Sequence, residues 1–452
     1  MNDDCIKVYV PNNFSFTNEV KYVFDFLLQE YRYDYQFHHG GDYLLVLPNH
    51  SKIVIKDSFF YKYSRPLDFL KKENIPQKIT LYQNQQISQQ DVIVLFGCGE
   101  TTISRLGDYY HLDCKIDLVA SVFFMLSRWE EYLPGENDDK NRLKSSETTP
   151  VRLGFVERPV VEEWKRFLED MITFVCPSYK VFKKNFFQVI PTHDIDIIYY
   201  PKSLINFAAD VLVARSWYGP IIRLSNILMQ KNPFDTFSFL MDQSEKAGLK
   251  SIFYLMGDGR SPLDTRYDGQ DPFVQRFVKE IINRGHIIGF HPGCDTYNNQ
   301  NEFIRQLNYV ENYCNLKINI SRQHRLKYKL PDSLEVWENC GIVEDSSIGY
   351  YDYAGFRCGT GRKFKLFHVL YQKETNVYER PLIFMDTQFH DYKMLKKLRE
   401  EGIKKLYKLD DICRKFHCDY TILFHNSNFD SIRWPGWKKA YEKYFTYLSN
   451  HN

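Results

Sequence analysis

Apolar residues recur along this chain in two rhythms. Residues 5–10, 43–47, 52–55 and 91–96 are apolar or alternating over spans that suit β-strands, whereas Val20, Val23, Phe24, Leu27 and Leu28 have the spacing of an amphipathic helix over 18–31. A strong helix is predicted over 116–132, with Val119, Val122, Phe123 and Leu126 on its apolar face and Arg128-Trp129-Glu130-Glu131-Tyr132 at its end. Residues 134–150 are polar and rich in Gly, Asp, Asn, Lys and Ser, which predicts a mobile loop. A helix over 160–174 finishes an N-terminal α/β unit, residues 1–180, and a short polar and basic stretch over 177–184 marks the boundary before a second domain, 185–452. Gly97-Cys98-Gly99-Glu100 resembles half of a dinucleotide fingerprint, but no third glycine follows, and a turn explains it better.

Beyond that boundary, strand and helix patterns alternate. The apolar run Phe186-Phe187-Gln188-Val189-Ile190-Pro191-Thr192 ends abruptly in His193-Asp194-Ile195-Asp196. Helices are predicted over 234–247, 273–284, 302–313 and 334–340, with Gly248, Gly285 and Gly341 closing three of them. Strand-like runs fall at 251–255, 286–291, 319–324 and 420–425. Repeating βα units of this kind predict a parallel sheet or barrel wrapped by helices.

Composition narrows the picture only a little. With 452 residues and 44% hydrophobic content, the chain can build two or three full-sized cores. The aromatic share of 16% is high, which suits either a core or a sugar-stacking groove. A formal net charge of +2 gives no basic field that would argue for nucleic acid. The acidic opening Met1-Asn2-Asp3-Asp4-Cys5 leads into no apolar leader, and no apolar run approaches the ~20 residues of a membrane span, so a cytoplasmic protein is expected. Ten cysteines without a Cys-x-x-Cys predict reduced, mostly buried thiols.

The chemistry collects where strands end. Asp194 and Asp196 alternate along an extended chain, so both can face one cavity while Ile195 points back into the core. Two carboxylates that close repel unless a cation or a shared proton relieves them, which suggests a divalent metal; a solvated pair capping the next helix is the plainer alternative. His291 ends a second strand, Arg322 and His324 a third, and His425 a fourth. In a parallel sheet these ends share one face, so residues far apart in sequence converge on one pocket. The acidic, glycine-rich stretch from Gly257 to Asp268 lacks the periodicity of a calcium loop and is expected to be exposed near the pocket mouth. Trp434-Pro435-Gly436-Trp437 is either a sugar-stacking wall or an aromatic anchor for the final helix.

The order and context of these residues resemble the polysaccharide deacetylase family, the NodB-homology or carbohydrate esterase family 4 group, from about Phe186 to the C-terminus. Thr192-His193-Asp194-Ile195-Asp196 is similar to its first motif and Gly285-His286-Ile287-Ile288-Gly289-Phe290-His291-Pro292 to its second. Arg322-Gln323-His324 sits where the third brings an arginine, Glu344-Asp345-Ser346-Ser347 is similar to the fourth, and Leu423-Phe424-His425-Asn426 to the fifth. Ser127-Arg128-Trp129-Glu130-Glu131-Tyr132, Arg158-Pro159-Val160-Val161 and Gly355-Phe356-Arg357-Cys358-Gly359-Thr360 resemble a bacterial subgroup with an uncharacterised domain ahead of the deacetylase.

The resemblance implies an α/β fold with a C-terminal distorted (β/α) barrel preceded by a smaller α/β domain. It implies metal-dependent hydrolysis of an N-acetyl amide on a saccharide, commonly with zinc. By motif position Asp194 is the base, Asp196 and His291 are metal ligands, and His425 is the acid. Arg322 holds Asp194, and Asp345 orients a histidine. The family's second motif normally supplies two histidines four residues apart, and here the second position is Asp295. Asp295 is therefore the expected third ligand; alternatively its loop, 292–297, is only a turn that leaves two protein ligands, too few for tight binding, with His193 and His286 as candidates to fill the gap. The altered motif also leaves open a catalytically weakened member that binds a saccharide or a partner, or a hydrolase of a different amide.

Overall fold

The strand Val189–Ile195 is buried along its whole length, and the C-terminal half is laid out around it. The computed structural model describes residues 5–12, 15–181, 186–200, 218–229, 231–391 and 393–451; part of the expected boundary at 177–184 lies outside them. Val189–Ile195 pairs on one side with Ile252–Met256 and on the other with Tyr420–Leu423. The sheet continues outward through Ile287–His291, Ile320–Ser321, Glu344–Asp345, Lys373–Glu379 and Phe364–His368 in one direction and Phe384–Met385 in the other. All neighbours run parallel except Phe364–His368, the antiparallel edge. Helices such as Phe237–Lys246, Pro272–Asn283 and Gln300–Cys314 cross between these strands.

Repeating βα units therefore give the parallel sheet that the alternation predicts. The barrel is a different matter. Among the described residues no pairing joins the edge strands Phe364–His368 and Phe384–Met385, so hydrogen bonds do not close the sheet.

The first 180 residues carry a separate six-stranded sheet in the order Tyr33–His38, Ile6–Pro11, Tyr43–Val46, Lys52–Ile55, Tyr109–Ile116, Gly97–Leu106. Gly97 opens the last of these strands instead of making an isolated turn. Its φ is 86°, and a Cβ there would lie 2.3 Å from the Lys115 carbonyl, so the close hairpin requires glycine. The helix predicted over 116–132 divides in two. Leu118–Ser127 is α-helical and buried at every residue, Arg128 turns left-handed with φ 51°, and Trp129–Tyr132 continues as a 3₁₀ turn. The break turns the fully buried Arg128 guanidinium onto Glu130 and Glu131, at 2.5 and 2.9 Å. A charge in that position needs such partners.

Those residues also join the two halves. Glu131 accepts from Arg357 at 2.9 Å and from the Tyr328 hydroxyl at 2.7 Å. Glu162 accepts from Arg362 at 2.8 Å and from Thr360. Gly355 packs so closely on the Val156 carbonyl that a Cβ would come within 2.3 Å. The sequence segments 127–132, 158–161 and 355–360 thus meet across one interface, within a single apolar cluster that runs from Ile6 to Leu448. The ten cysteines are free, and all but Cys5, Cys98 and Cys340 are buried. Among the described residues no helix is long and apolar enough to cross a membrane.

Candidate metal centre

Parallel register brings the polar strand ends to one edge of the sheet. His291 is the last residue of its strand and pairs with Met256, Asp194 is opposite Tyr254, and Ser321 is opposite both Phe290 and Asp345. Asp196, Arg322, His324, Asp386 and His425 all follow within three residues of a strand's carboxyl end. Such ends are where a parallel α/β sheet opens toward solvent and ligands.

Asp196 is the centre of this group. His291 Nε2 lies 3.3 Å from its Oδ1, and His324 Nε2 and His425 Nε2 lie 3.9 and 3.7 Å from its Oδ2. Each ring is oriented by a contact at its other nitrogen. His291 Nδ1 is 2.5 Å from the Arg322 carbonyl, His324 Nδ1 is 2.8 Å from Asp264, and His425 Nδ1 is 2.8 Å from Asp386. A carbonyl or carboxylate can only accept, so Nδ1 carries the proton in each ring and Nε2 faces Asp196.

Burial alone would raise the Asp196 carboxyl pKa, but the approach of His291 and the other neighbouring histidines outweighs it and holds the group well below the usual carboxylate range. His291 shows the reciprocal effect. Burial opposes its protonation, and Asp194 and Asp196 nevertheless push its pKa up. Burial likewise opposes protonation of His425, while Asp386 and the two other carboxylates raise it to about 10.

Asp194 sits on the same face, two residues back. Arg322, fully buried, donates to Asp194 Oδ1 at 3.0 Å and to Thr192 Oγ1 at 2.8 Å. Its remaining N–H groups reach the Ser346 carbonyl and hydroxyl at 3.1 and 2.9 Å, and its guanidinium lies 4.4 Å from the centre of the Tyr254 ring. Gly289 makes room for that ring, since a Cβ there would stand 2.5 Å from it. The arginine and Asp194 are held as one rigid pair.

The structure departs from the sequence expectation at four of the residues considered. Asp295 does not reach the cluster: its side chain is 61% exposed and lies 3.8 Å from Lys327. The turn after His291 carries it to the surface. His193 points to the opposite face of its strand, where its Nδ1 meets the Phe424 carbonyl at 2.9 Å and burial lowers its pKa to about 3. His286 precedes its strand at the far end, against Ser251 and Glu245. Asp345 orients no histidine; it accepts from the Ser321 hydroxyl at 2.5 Å and the Ser347 N–H at 2.8 Å, and burial raises its pKa to about 6.

His324 occupies the place expected of Asp295. The ligand atoms of Asp196, His291 and His324 lie within 4.8 Å of one another. Among the described residues Asp196 Oδ1 is buried without a hydrogen-bond partner, although His291 Nε2 lies 3.3 Å away. Two imidazole nitrogens freed by their Nδ1–H contacts, and one carboxylate oxygen without a partner, form a donor set that fits a divalent ion such as zinc. A second group, Asp264, Cys294 and His324, shares the same histidine. There burial and Asp264 push the Cys294 thiol up to about 12, which keeps it protonated and a poor ligand.

Asp264 and Asp386 are the residues that sequence reasoning missed. Asp264 lies in the loop expected to be exposed, yet its side chain is 1% exposed. Asp386 follows the buried strand Phe384–Met385 and accepts from the His425 N–H at 2.8 Å and from Asn428 at 2.9 Å. The apolar run Leu382-Ile383-Phe384-Met385 ending in an aspartate is the same signal that marked Asp194. Trp434 and Trp437 are buried among Phe424 and His390, at the start of the helix Trp437–His451, and do not line the cleft. The anchor, not the sugar-stacking wall, is what the structure contains. The cleft above the cluster holds about 350 Å³.

Residues 6–177 match the model of a family described as "Family of unknown function (DUF7033)". Curated proteins yield no match. Solved structures similar to the chain include a putative polysaccharide deacetylase from Mycobacterium smegmatis, 12% identical, with a TM-score of 0.39 over 59% of this chain and 85% of that one. A CE4 family pseudoenzyme from Bacillus anthracis is 10% identical, with a TM-score of 0.29 over 59% of this chain and 61% of the other. A GH57 branching enzyme from Thermococcus kodakaraensis is 9% identical, with a TM-score of 0.34 over 60% and 69%. Likeness at this level says nothing about chemistry, which has to come from the residues of this chain.

Proposed function

We propose that this chain is a divalent-metal-dependent hydrolase of non-peptide carbon–nitrogen bonds that removes an acetyl group from an N-acetylated saccharide. The observation that carries the reading is the convergence of Asp196, His291 and His324 beside an Arg322-held Asp194 and an Asp386-held His425. The saccharide and the acetyl group come from the motif resemblance. Residues 1–180 form an N-terminal α/β domain in this reading, and 185–452 form the deacetylase-type domain, whose parallel strands present the site as a distorted barrel would.

Asp196, His291 and His324 would hold the ion, with zinc best suited to two imidazoles and a carboxylate. When bound, the ion supplies Lewis acidity to an amide carbonyl and to water. Asp194 takes the proton of the attacking water on its carboxylate, and the Arg322 hydrogen bond fixes that carboxylate in direction. His425, protonated at Nε2 through its Asp386 partner, gives its proton to the leaving amine nitrogen. Asp264 holds His324 in the orientation that faces Asp196 and touches no substrate.

One observation favours a second reading. His291 and His425 are both held toward the protonated form, so imidazolium charges alone could neutralise Asp196. The chain would then bind a saccharide without turning it over. Acetate release from N-acetylated sugars by the chain reconstituted with zinc, cobalt or nickel separates the two: release that depends on the ion supports the hydrolase, and ion binding without release supports the binding protein.

A further inference from the structure

The N-terminal half reaches into the cleft, and what it brings is positive charge. Asp138 builds a tight turn there: its Oδ1 accepts the N–H groups of Lys140 and Arg142, each at 2.9 Å, and its Oδ2 accepts from the Arg142 guanidinium at 2.8 and 2.6 Å. Arg142 also donates to the Arg325 carbonyl at 2.8 Å and lies 3.7 Å from the centre of the Tyr351 ring. Ser145, a little further on, donates to Asp352. The turn is therefore clamped to the C-terminal half, and the Lys140 side chain is left lining the cleft.

Arg325 lines the same cleft. Its backbone is left-handed, with φ 61°, and its guanidinium donates to the Leu263 carbonyl at 3.2 Å. Such backbone strain persists only where the surroundings enforce it. Among the described residues neither Lys140 nor Arg325 has a carboxylate within ion-pair reach, whereas the charge of Arg142 is matched by Asp138. The acids of the cleft face other cations or rings: Asp194 pairs with Arg322, and Asp196 faces three imidazoles. A second hollow of about 480 Å³ shares Arg142, Leu326 and Tyr351 with the first, which leaves room for a ligand larger than its reacting group.

We propose that the cleft takes a saccharide carrying an anionic group, a phosphate or a carboxylate, and that Lys140 and Arg325 bind that group. The role given to the acetamido end rests on the deacetylase reading; the anion site does not. A lysine and an arginine without counter-ions among the described residues, in a cleft that a ligand would desolvate, suit such an anion by charge and by hydrogen-bond donors. The N-terminal domain then supplies specificity to a centre built wholly by the other half.

Calorimetric titration of the full chain at low ionic strength, with N-acetylglucosamine, N-acetylglucosamine 1-phosphate and N-acetylglucosaminuronic acid as probes, tests this. At least one anionic sugar should bind about tenfold more tightly than the neutral one, and the margin should shrink with added salt. Lys140→Gln and Arg325→Gln should each remove most of the margin between the anionic and the neutral sugars. Thermal melting of Lys140→Gln should match that of the unaltered chain, because among the described residues that side chain has no partner to lose. Whether the phosphate or the carboxylate gains more identifies the source of the anion. Equal binding of neutral and anionic sugars, a margin that survives both substitutions, or no binding of any of the three overturns the inference. An intact margin in a chain that takes up no metal and releases no acetate would sink the hydrolase reading alone.

Discussion

Asp264 Oδ1 lies 2.8 Å from His324 Nδ1, and this contact turns the other ring nitrogen toward Asp196. The deacetylase resemblance expects a ligand at Asp295, which faces solvent; in the proposed centre His324, from the next strand end, stands in its place. Asp264 supports that replacement as carboxylates commonly support metal-binding histidines.

A metal titration checks the substitution directly. His324→Ala should abolish tight zinc binding, and Asp264→Asn should weaken it by about 10- to 100-fold. Asp295→Ala should leave it unchanged, since that side chain faces solvent. A loss in Asp295→Ala comparable to that in His324→Ala would restore Asp295 as the ligand.

Asp194→Asn keeps the shape of the residue that Arg322 holds and removes its capacity to take a proton. Turnover should fall by about 10² to 10⁴ while zinc affinity stays near that of the unaltered chain. Steady-state kinetics beside metal analysis would reveal the opposite pattern, lost metal with turnover per bound ion intact, if Asp194 were a ligand instead.

Asp386→Asn should lower kcat more than it raises KM, because Asp386 acts on His425 and not on the substrate. Removing the carboxylate that sits 2.8 Å from Nδ1 also removes the main cause of the raised His425 pKa. The proton that the leaving amine needs should then be lost at lower pH, so the alkaline limb of the kcat profile should move downward. An unmoved limb would separate His425 from the acid role.

The interface between the halves makes a prediction about stability. Burial would raise the Glu131 carboxyl, but Arg357 and Arg128 outweigh it and hold its pKa at about 2 against an ordinary 4.5. A depressed carboxyl stabilises the fold fully above its unfolded value, and that contribution is lost as pH falls through the folded one. Thermal melts should therefore weaken between pH 4.5 and 2, and Glu131→Gln should flatten that dependence. At neutral pH the same substitution should cost about 3–5 kcal/mol, because it leaves buried arginines short of a partner. A melt of Glu131→Gln unchanged at neutral pH would contradict this.

Much of the site was legible because strand ends announce themselves. An apolar run that stops at an acid or imidazole marks a residue delivered to a sheet edge, and Asp194, Asp196, His291, Arg322, His324 and His425 were found that way. The ligand set was less legible. Motif spacing pointed to Asp295, but spacing within one loop does not say which way the loop turns, and His324 arrives from a different strand. Asp264 could not be read at all, since a glycine-rich acidic loop looks exposed until the fold packs it on a histidine. The break at Arg128 was hidden for a related reason: helical periodicity runs straight through it, and only the buried partners Glu130 and Glu131 explain the turn. The clamp of residues 138–142 on the cleft depends on contacts more than 180 positions apart, which no local pattern encodes.

The central claim, that Asp196, His291 and His324 share one divalent ion, is tested most directly by elemental analysis of the purified chain after zinc loading and dialysis, with His291→Ala alongside. The expected result is about one ion per chain, lost in the variant. A chain that retains no zinc, cobalt or nickel, or a His291→Ala variant that retains as much as the unaltered protein, would contradict it.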